Sequence, residues 1–244
     1  CINRCPTGAL HANDSSDEVW QAIDDPKKHV VIQTAPSPRA AVGECFGLEP
    51  GTSVTYQMNT ALKRMGFDHV FDTNFTADLT IIEEGTELVL RLYQALVEGK
   101  TDVALPQFTS CSPGWVKYCE HFYPEYIPNL STAKSPQQMF GALIKTFYAQ
   151  KMGVDPKDIV SVAIMPCTAK KFECSRPEMA PGSVPDVDFV LTTRELGQLL
   201  RMFGVGLEEL EPESPDTPFG ERSTAGKLFG ASGGVMEAAL RSAY

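Results

Sequence analysis

"DIVSVAIMPC", residues 158–167, settles the fold class. Its apolar, β-branched run is too short for a helix and reads as a strand buried on both faces. Such strands belong to parallel sheets covered by helices. The flanks repeat the theme. Upstream, "PQQMFGALIKTFYAQKMG" (136–153) carries a helical period and ends at a glycine. Downstream, "VDFVLTT" (187–193) is a second strand, and "TRELGQLLRMFG" (193–204) and "GGVMEAALRSAY" (233–244) are helices. Nearer the start, "HVVIQTAP" (29–36), "HVFDT" (69–73) and "DVALPQFTS" (102–110) read as strands. "TYQMNTALKRMGF" (55–67) and the long "TADLTIIEEGTELVLRLYQALVEG" (76–99) are amphipathic helices. This alternation predicts an α/β fold with mostly parallel strands. Sites in such folds gather at loops leaving the carboxyl ends of strands. "APSP", "SCSPGW" and "PCTAKK" are expected at three such ends.

Composition narrows the function. The chain has 244 residues, 43% hydrophobic and 21% charged, and so reads as soluble and globular. A net charge of −10 argues against nucleic acid as a partner. No apolar run reaches the length of a membrane span. The seven cysteines, at 1, 5, 45, 111, 119, 167 and 174, are odd in number and irregular in spacing. That is a poor disulfide framework and favours metal or redox use. The chain starts on Cys1 in mid-motif. A cytoplasmic setting is expected, and a periplasmic one stays open because a leader could precede this start. The polar "HANDSSDE" (11–18) reads as a linker, dividing a segment 1–18 from a domain 19–244.

Cys111 in "FTSCSPGW" and Cys167 in "MPCTAKKFE" share one context: an extended run, a cysteine, turn residues, then a helix. A lone cysteine in that position is ordinarily a small buried hydrophobe. Beside Lys170 and Lys171 at a helix start, however, a thiolate is favoured and suits iron in a cluster. The opening "CINRCPTGAL" keeps the C-x-x-x-C-P end of a bacterial ferredoxin run, in which the last cysteine serves a different cluster from the others. Cys1 and Cys5 are expected to be ligands of two different clusters.

"FTSCSPGW", "MPCTAKKFE", "STAKSPQQMFGALIKTFY", "RPEMAPGSVPDVDFVLTTRELGQLLR" and "FGASGGVMEAALRSAY", in this order, resemble the catalytic subunit of an iron-only hydrogenase. The resemblance implies a two-lobed catalytic domain with mostly parallel sheets flanked by helices, preceded by the tail of a ferredoxin-like segment and truncated at its C-terminus. It implies reversible reduction of protons to dihydrogen at an H-cluster. That cofactor joins a 4Fe–4S cubane to a diiron unit bearing CO, cyanide and a dithiolate. Further 4Fe–4S clusters would sit in the N-terminal segment. The implied partners are ferredoxin or NADH-linked electron-transfer subunits, and maturation proteins. Two other outcomes are open: a non-catalytic hydrogenase-like Fe–S protein of cluster assembly, and a sensory hydrogenase.

The resemblance also assigns residues. The family's first cysteine motif reads T-S-C-C-P-x-W, so Cys111 falls on the proton relay and Ser112 on a cubane ligand; Cys167 matches a second ligand. Ser112 would ligate as an alkoxide, or Cys111 would ligate in its place and the relay be lost, or Ser112 is a plain turn serine. The motif that supplies the last two ligands is absent. A wire of Cys111, Glu84, Ser131, Glu87 and then Arg91 at the surface is implied. Read alone, Glu87 and Arg91 are an ordinary i,i+4 pair on an exposed face, with Glu84 at the edge of the Ile81–Leu88–Leu92 stripe. Lys170 matches a cyanide contact, and Pro36 and Ser37 match residues around the other cyanide. Ser135, Gln137 and Met165 match pocket positions, and Gly233 and Gly234 match a close backbone approach.

Overall fold

A computed structural model describes residues 5–10 and 13–244. In chain order the elements are α1 (Ser16–Asp24), β1 (His29–Thr34), α2 (Pro38–Ala41), α3 (Thr55–Met65), β2 (His69–Asp72), α4 (Asn74–Leu96), α5 (Pro113–Phe122), α6 (Pro136–Leu143), α7 (Ala149–Met152), β3 (Ile159–Met165), α8 (Ala169–Cys174), β4 (Phe189–Thr192), α9 (Thr193–Met202) and α10 (Gly234–Ala243). A π-helical turn, Ile144–Tyr148, joins α6 to α7. The four strands form one parallel sheet in the order β2-β1-β3-β4. All seven residues of β3 are buried, as its continuous apolar run requires.

Side chains alternate across the sheet. Val30, Ile32, Val162 and Ile164 pack with Met58 and Leu62 of α3 and Leu196 and Leu200 of α9. Val31, Phe71 and Ile159 face Phe140 and Ile144 on the α6 side. There α6 lies close against the segment entering β4. A Cβ on Gly141 would stand 2.3 Å from the carbonyl oxygen of Asp186, so no larger residue fits.

The chain leaves β1 in one direction for β2 and returns on the other side for β3. The order therefore reverses between β1 and β3, where open α/β sheets place their ligands. The turn after β1 holds Pro36 and Ser37, and the turn after β3 holds Cys167. Two of the three expected strand-end loops are thus in place. The third is not: residues 102–110 form no strand. Pro106 lacks an N–H to donate to a ladder, and pairing shrinks to one bridge, Phe108 with Leu130. In that bridge Phe108 N donates to the Asn129 carbonyl (2.8 Å) and Ser131 N to the Phe108 carbonyl (2.7 Å). Two further expectations shift. The polar run at 11–18 is not all linker, since α1 begins at Ser16, and α4 starts at Asn74 rather than Thr76.

A buried ion pair joins the carboxyl ends of β1 and β2. Arg39 Nη2 lies 2.6 Å from Asp72 Oδ1, and Arg222 Nε lies 2.6 Å from Asp72 Oδ2. Burial opposes ionisation of Asp72, but Arg39 and then Arg222 outweigh it and hold its carboxyl below the usual range. Residues 211–224 also cover the free edge of β2. Asp216 N donates to the Val70 carbonyl, and Val70 N donates to Asp216 Oδ2, both at 2.8 Å. Replacing Asp72 with Ala leaves Arg39 buried without its anion, and a loss of about 3–5 kcal/mol in unfolding free energy is expected in a urea titration. A loss within 1 kcal/mol, at the level of an exposed pair, would contradict the role given to this pair.

Candidate active site

The buried stripe of α4 runs through Ala77, Ile81, Glu84 and Leu88, spaced by four, three and four residues. Leu92, expected on that stripe, is 38% exposed, because the helix has left the core by then. Glu84 stands in the middle of the stripe rather than at its edge. It is 0% exposed, and neither carboxylate oxygen has a hydrogen-bond partner among the described residues. Burial pushes its carboxyl up to about 7, with the charge of Glu87 adding to the rise. The Ser110 backbone and the Ser131 hydroxyl oppose it only in part.

One turn along, Glu87 has the opposite surroundings. Ser131 Oγ donates to Glu87 Oε2 at 2.7 Å, Thr132 N donates to Oε2 at 3.0 Å, and Arg91 Nη2 lies 2.6 Å from Oε1. Burial works against its charge, but Ser131 and Arg91 together hold the carboxyl below its ordinary range. The Phe108–Leu130 bridge carries Ser131 to this position. Arg91 also donates to the carbonyls of Ala104 (3.1 Å) and Leu130 (2.9 Å).

Lys170 brings the two cysteine segments together. Its Nζ donates to the Cys111 carbonyl at 2.7 Å, and its backbone N–H donates to the Cys167 carbonyl at 3.1 Å. Glu173 Oε2 holds the same ammonium at 3.0 Å. Gln137 donates to Glu173 Oε2 (3.2 Å) and to the Lys170 carbonyl (3.3 Å), so it is part of this cluster. Burial raises the Cys111 thiol; the charge of Glu84 raises it further, and Lys170 opposes the rise. Cys167 is exposed at the tip of β3. Ser112 is exposed at the N-cap of α5 and makes no side-chain capping bond.

The remaining expected positions divide. Pro36 and Ser37 are exposed in the turn beside the β1–β3 crevice. Ser135 is buried as the N-cap of α6, accepting from Gln138 N. Met165 packs into the core with Ala35, Ala163, Val187 and Val190. Gly233 and Gly234, at φ +90° and +49°, make the turn into α10; a Cβ on Gly233 would stand 2.8 Å from Glu237 Cβ. Cys5 is a free thiol 3.5 Å from Thr7 Oγ1, and Cys1 lies outside the described residues. Glu173 was not foreseen. Its i+3 spacing from Lys170 was the available signal.

Thiol, unpaired carboxyl and ammonium together suit an iron cofactor that exchanges protons. The described residues hold no group of three or more His, Cys, Asp or Glu able to bind a metal ion.

The whole of this arrangement falls within a match to the family model "Iron only hydrogenase large subunit, C-terminal domain", which covers residues 28–244. The chain belongs to that family. It is 53% identical over 244 residues to the "NADP-reducing hydrogenase subunit HndD" of Solidesulfovibrio fructosivorans, covering 100% of this chain and 42% of the relative. It is 37% identical over 230 residues to the "Cytosolic iron-sulfur assembly component 3" of Bos taurus, covering 91% of this chain and 47% of the relative. A solved apo FeFe hydrogenase HydA1 from Chlamydomonas reinhardtii superimposes with a TM-score of 0.84 at 46% identity, over 95% of this chain and 58% of that one. The chain thus spans less than half the length of these two sequence relatives. No helix among the described residues is long and apolar enough to cross a membrane.

The two site thiols should differ in reactivity. In cofactor-free protein, alkylation followed by mass spectrometry is expected to modify exposed Cys167 roughly ten-fold or more faster than Cys111 at neutral pH. The gap should narrow as alkaline pH ionises Cys111. Equal rates at neutral pH would contradict the burial and raised pKa of Cys111.

Proposed function

We propose that this domain belongs to an iron-only hydrogenase that reversibly reduces protons to dihydrogen, and that Cys111, Glu84, Ser131 and Glu87 carry the protons. The observation behind this reading is the unpartnered, buried carboxyl of Glu84 between Cys111 and Ser131. A permanent charge there is costly and a permanently neutral group is useless for transfer, but a carboxyl poised near 7 can load and unload.

When bound, an H-cluster would supply the iron centre for proton reduction and a relay for electrons that come from outside the domain. The chain's own residues then have separate tasks. Cys167 and Ser112 are the positions that would hold the cubane, through a thiolate and a hydroxyl oxygen. The Lys170 ammonium, kept in place by Glu173 and the Cys111 carbonyl, offers positive charge toward anionic ligands in the crevice. Cys111 holds a proton on Sγ at neutral pH because burial disfavours its thiolate. Glu84 turns between Cys111 and Ser131, its oxygens uncommitted to any partner among the described residues. Ser131 Oγ already donates to Glu87, so a proton arriving from Glu87 requires the hydroxyl to rotate and release its own toward Glu84. Electrons would come from ferredoxin or NADH-linked Fe–S subunits; the C-x-x-x-C-P pattern of Cys1 and Cys5 supports this reading.

A cluster-assembly role, like that in the name of one relative, is favoured by one residue, Ser112, which replaces a thiolate with a harder donor. The retained proton carriers favour the enzyme. In the full-length, matured protein, Glu84→Gln and Cys111→Ala are each expected to lower hydrogen evolution by about 10² or more, with the infrared bands of CO and cyanide unchanged. Full turnover in both variants, or no CO and cyanide bands in the matured parent, would overturn the proposal.

A further inference from the structure

The relay proposed above ends at Glu87 and Arg91, yet Arg91 is badly suited to pass a proton. A guanidinium does not deprotonate in proteins. Both terminal nitrogens of Arg91 are also engaged, by Glu87 Oε1 and by the carbonyls of Ala104, Pro128, Asn129 and Leu130, at 2.6–3.4 Å. It fixes Glu87 against the 128–131 loop.

Glu87 has another way out. Its side chain lines a cavity of about 490 Å³ between α4 and α6, together with Glu83, Thr86, Thr132 and Lys134. Glu83 precedes Glu87 by one helical turn, on the same face, and is exposed. The charged groups facing this space are Glu83, Glu87 and Lys134. The ammonium of Lys134 is committed to Asp186, whose side chain is 2% exposed, so Glu83 has no cationic partner among the described residues. An unpaired carboxylate at a cavity mouth attracts hydronium and cationic buffer acids.

The loop 131–135 separates this space from a second cavity, of about 290 Å³, lined by Ser131, Glu120, Glu173, Arg176 and Glu178. There the carboxylates are engaged. Arg176 binds Glu120 at 2.5 Å and Glu178 at 2.7 Å, and Lys170 binds Glu173 at 3.0 Å. Carboxylates already paired with a cation offer less free negative charge to an arriving hydronium or cationic buffer acid than unpaired Glu83 does.

We infer that the α4–α6 cavity is the proton inlet, that Glu83 is the carboxylate exchanging protons with solvent, and that Arg91 is a positioning residue. A buffer acid gives its proton to the Glu83 carboxylate and leaves as its conjugate base. Glu83 passes the proton to Glu87 and returns to its anion, and Glu87 hands it to Ser131. This inference rests on the relay proposed above, and the test separates the two.

In the full-length, matured enzyme, Glu83→Gln is expected to lower hydrogen evolution severalfold in dilute buffer and to be rescued by concentrated imidazolium. Arg91→Gln is expected to lower it at every buffer concentration, without rescue. Glu178→Gln, in the other cavity, is expected to match the parent. A second readout needs no cofactor: after a pH jump on the cofactor-free full chain, protonation of Glu84, followed by its infrared carboxyl band, should slow severalfold in Glu83→Gln. If Glu83→Gln matches the parent in both readouts while Glu84→Gln abolishes turnover, the inlet is wrong and the relay stands. If Glu178→Gln shows the buffer-dependent loss instead, the inlet lies in the second cavity. If Glu84→Gln turns over normally, the relay itself fails and the inlet with it.

Discussion

A carboxyl group sits in the buried stripe of α4 with neither oxygen hydrogen-bonded among the described residues. Desolvation of its charged form is the constraint to which the rest of the site answers. A partner would have released that constraint and fixed the group as an anion, as Arg39 and Arg222 do for Asp72. Left unpaired, Glu84 is pushed up to about 7, where gaining and losing a proton are nearly balanced. The fold brings the other groups to it. α4 is long enough to run from the sheet's carboxyl edge to the exposed turns beyond Leu88. One short bridge delivers Ser131, and one ammonium ties the Cys111 and Cys167 segments together.

Glu84 and Glu87 are three residues apart on one helix, and their environments drive them in opposite directions. Glu84 is raised by burial, whereas Glu87 is held low by Ser131, Arg91 and the Thr132 amide. Pairs of titratable groups separated in this way mark sites of proton transfer. The separation also explains how a chain of net charge −10 can place acids beside its crevice without filling it with negative charge. The inner acid is easily neutral, and Lys170 with Glu173 forms a closed pair.

Most of the fold was legible in the sequence because it rests on continuous apolar runs and helical periods. β3 and its neighbours, α3, α9 and α10 all follow from such patterns. The misreadings have local causes. Residues 102–110 alternate like a strand, but Pro106 leaves the segment without a ladder, and a single bridge does its work. Leu92 continues the apolar period after α4 has left its packing partners. On spacing alone Glu87 and Arg91 read as an ordinary i,i+4 pair with Glu84 at the stripe's edge; the wire was an implication of the family resemblance, and what the structure adds is the pair's geometry and the burial of Glu84. The site was not legible where tertiary contact decides. Met165 lies inside the core, Ser135 is used as a helix cap, and Lys134 is committed to Asp186 on another segment. The engagement of Arg91 by four carbonyls, which makes it a clamp, belongs to the fold alone.

The protonation midpoint of Glu84 is the most direct measure of the central claim. Isotope-edited infrared spectroscopy of the cofactor-free protein, with Glu84→Gln identifying the band, should show a carboxyl stretch that disappears with a midpoint of about 7. A midpoint near the ordinary glutamate value of about 4.3 would mean that Glu84 is solvated or paired after all. A buried, poised carrier on α4 would then no longer describe this protein.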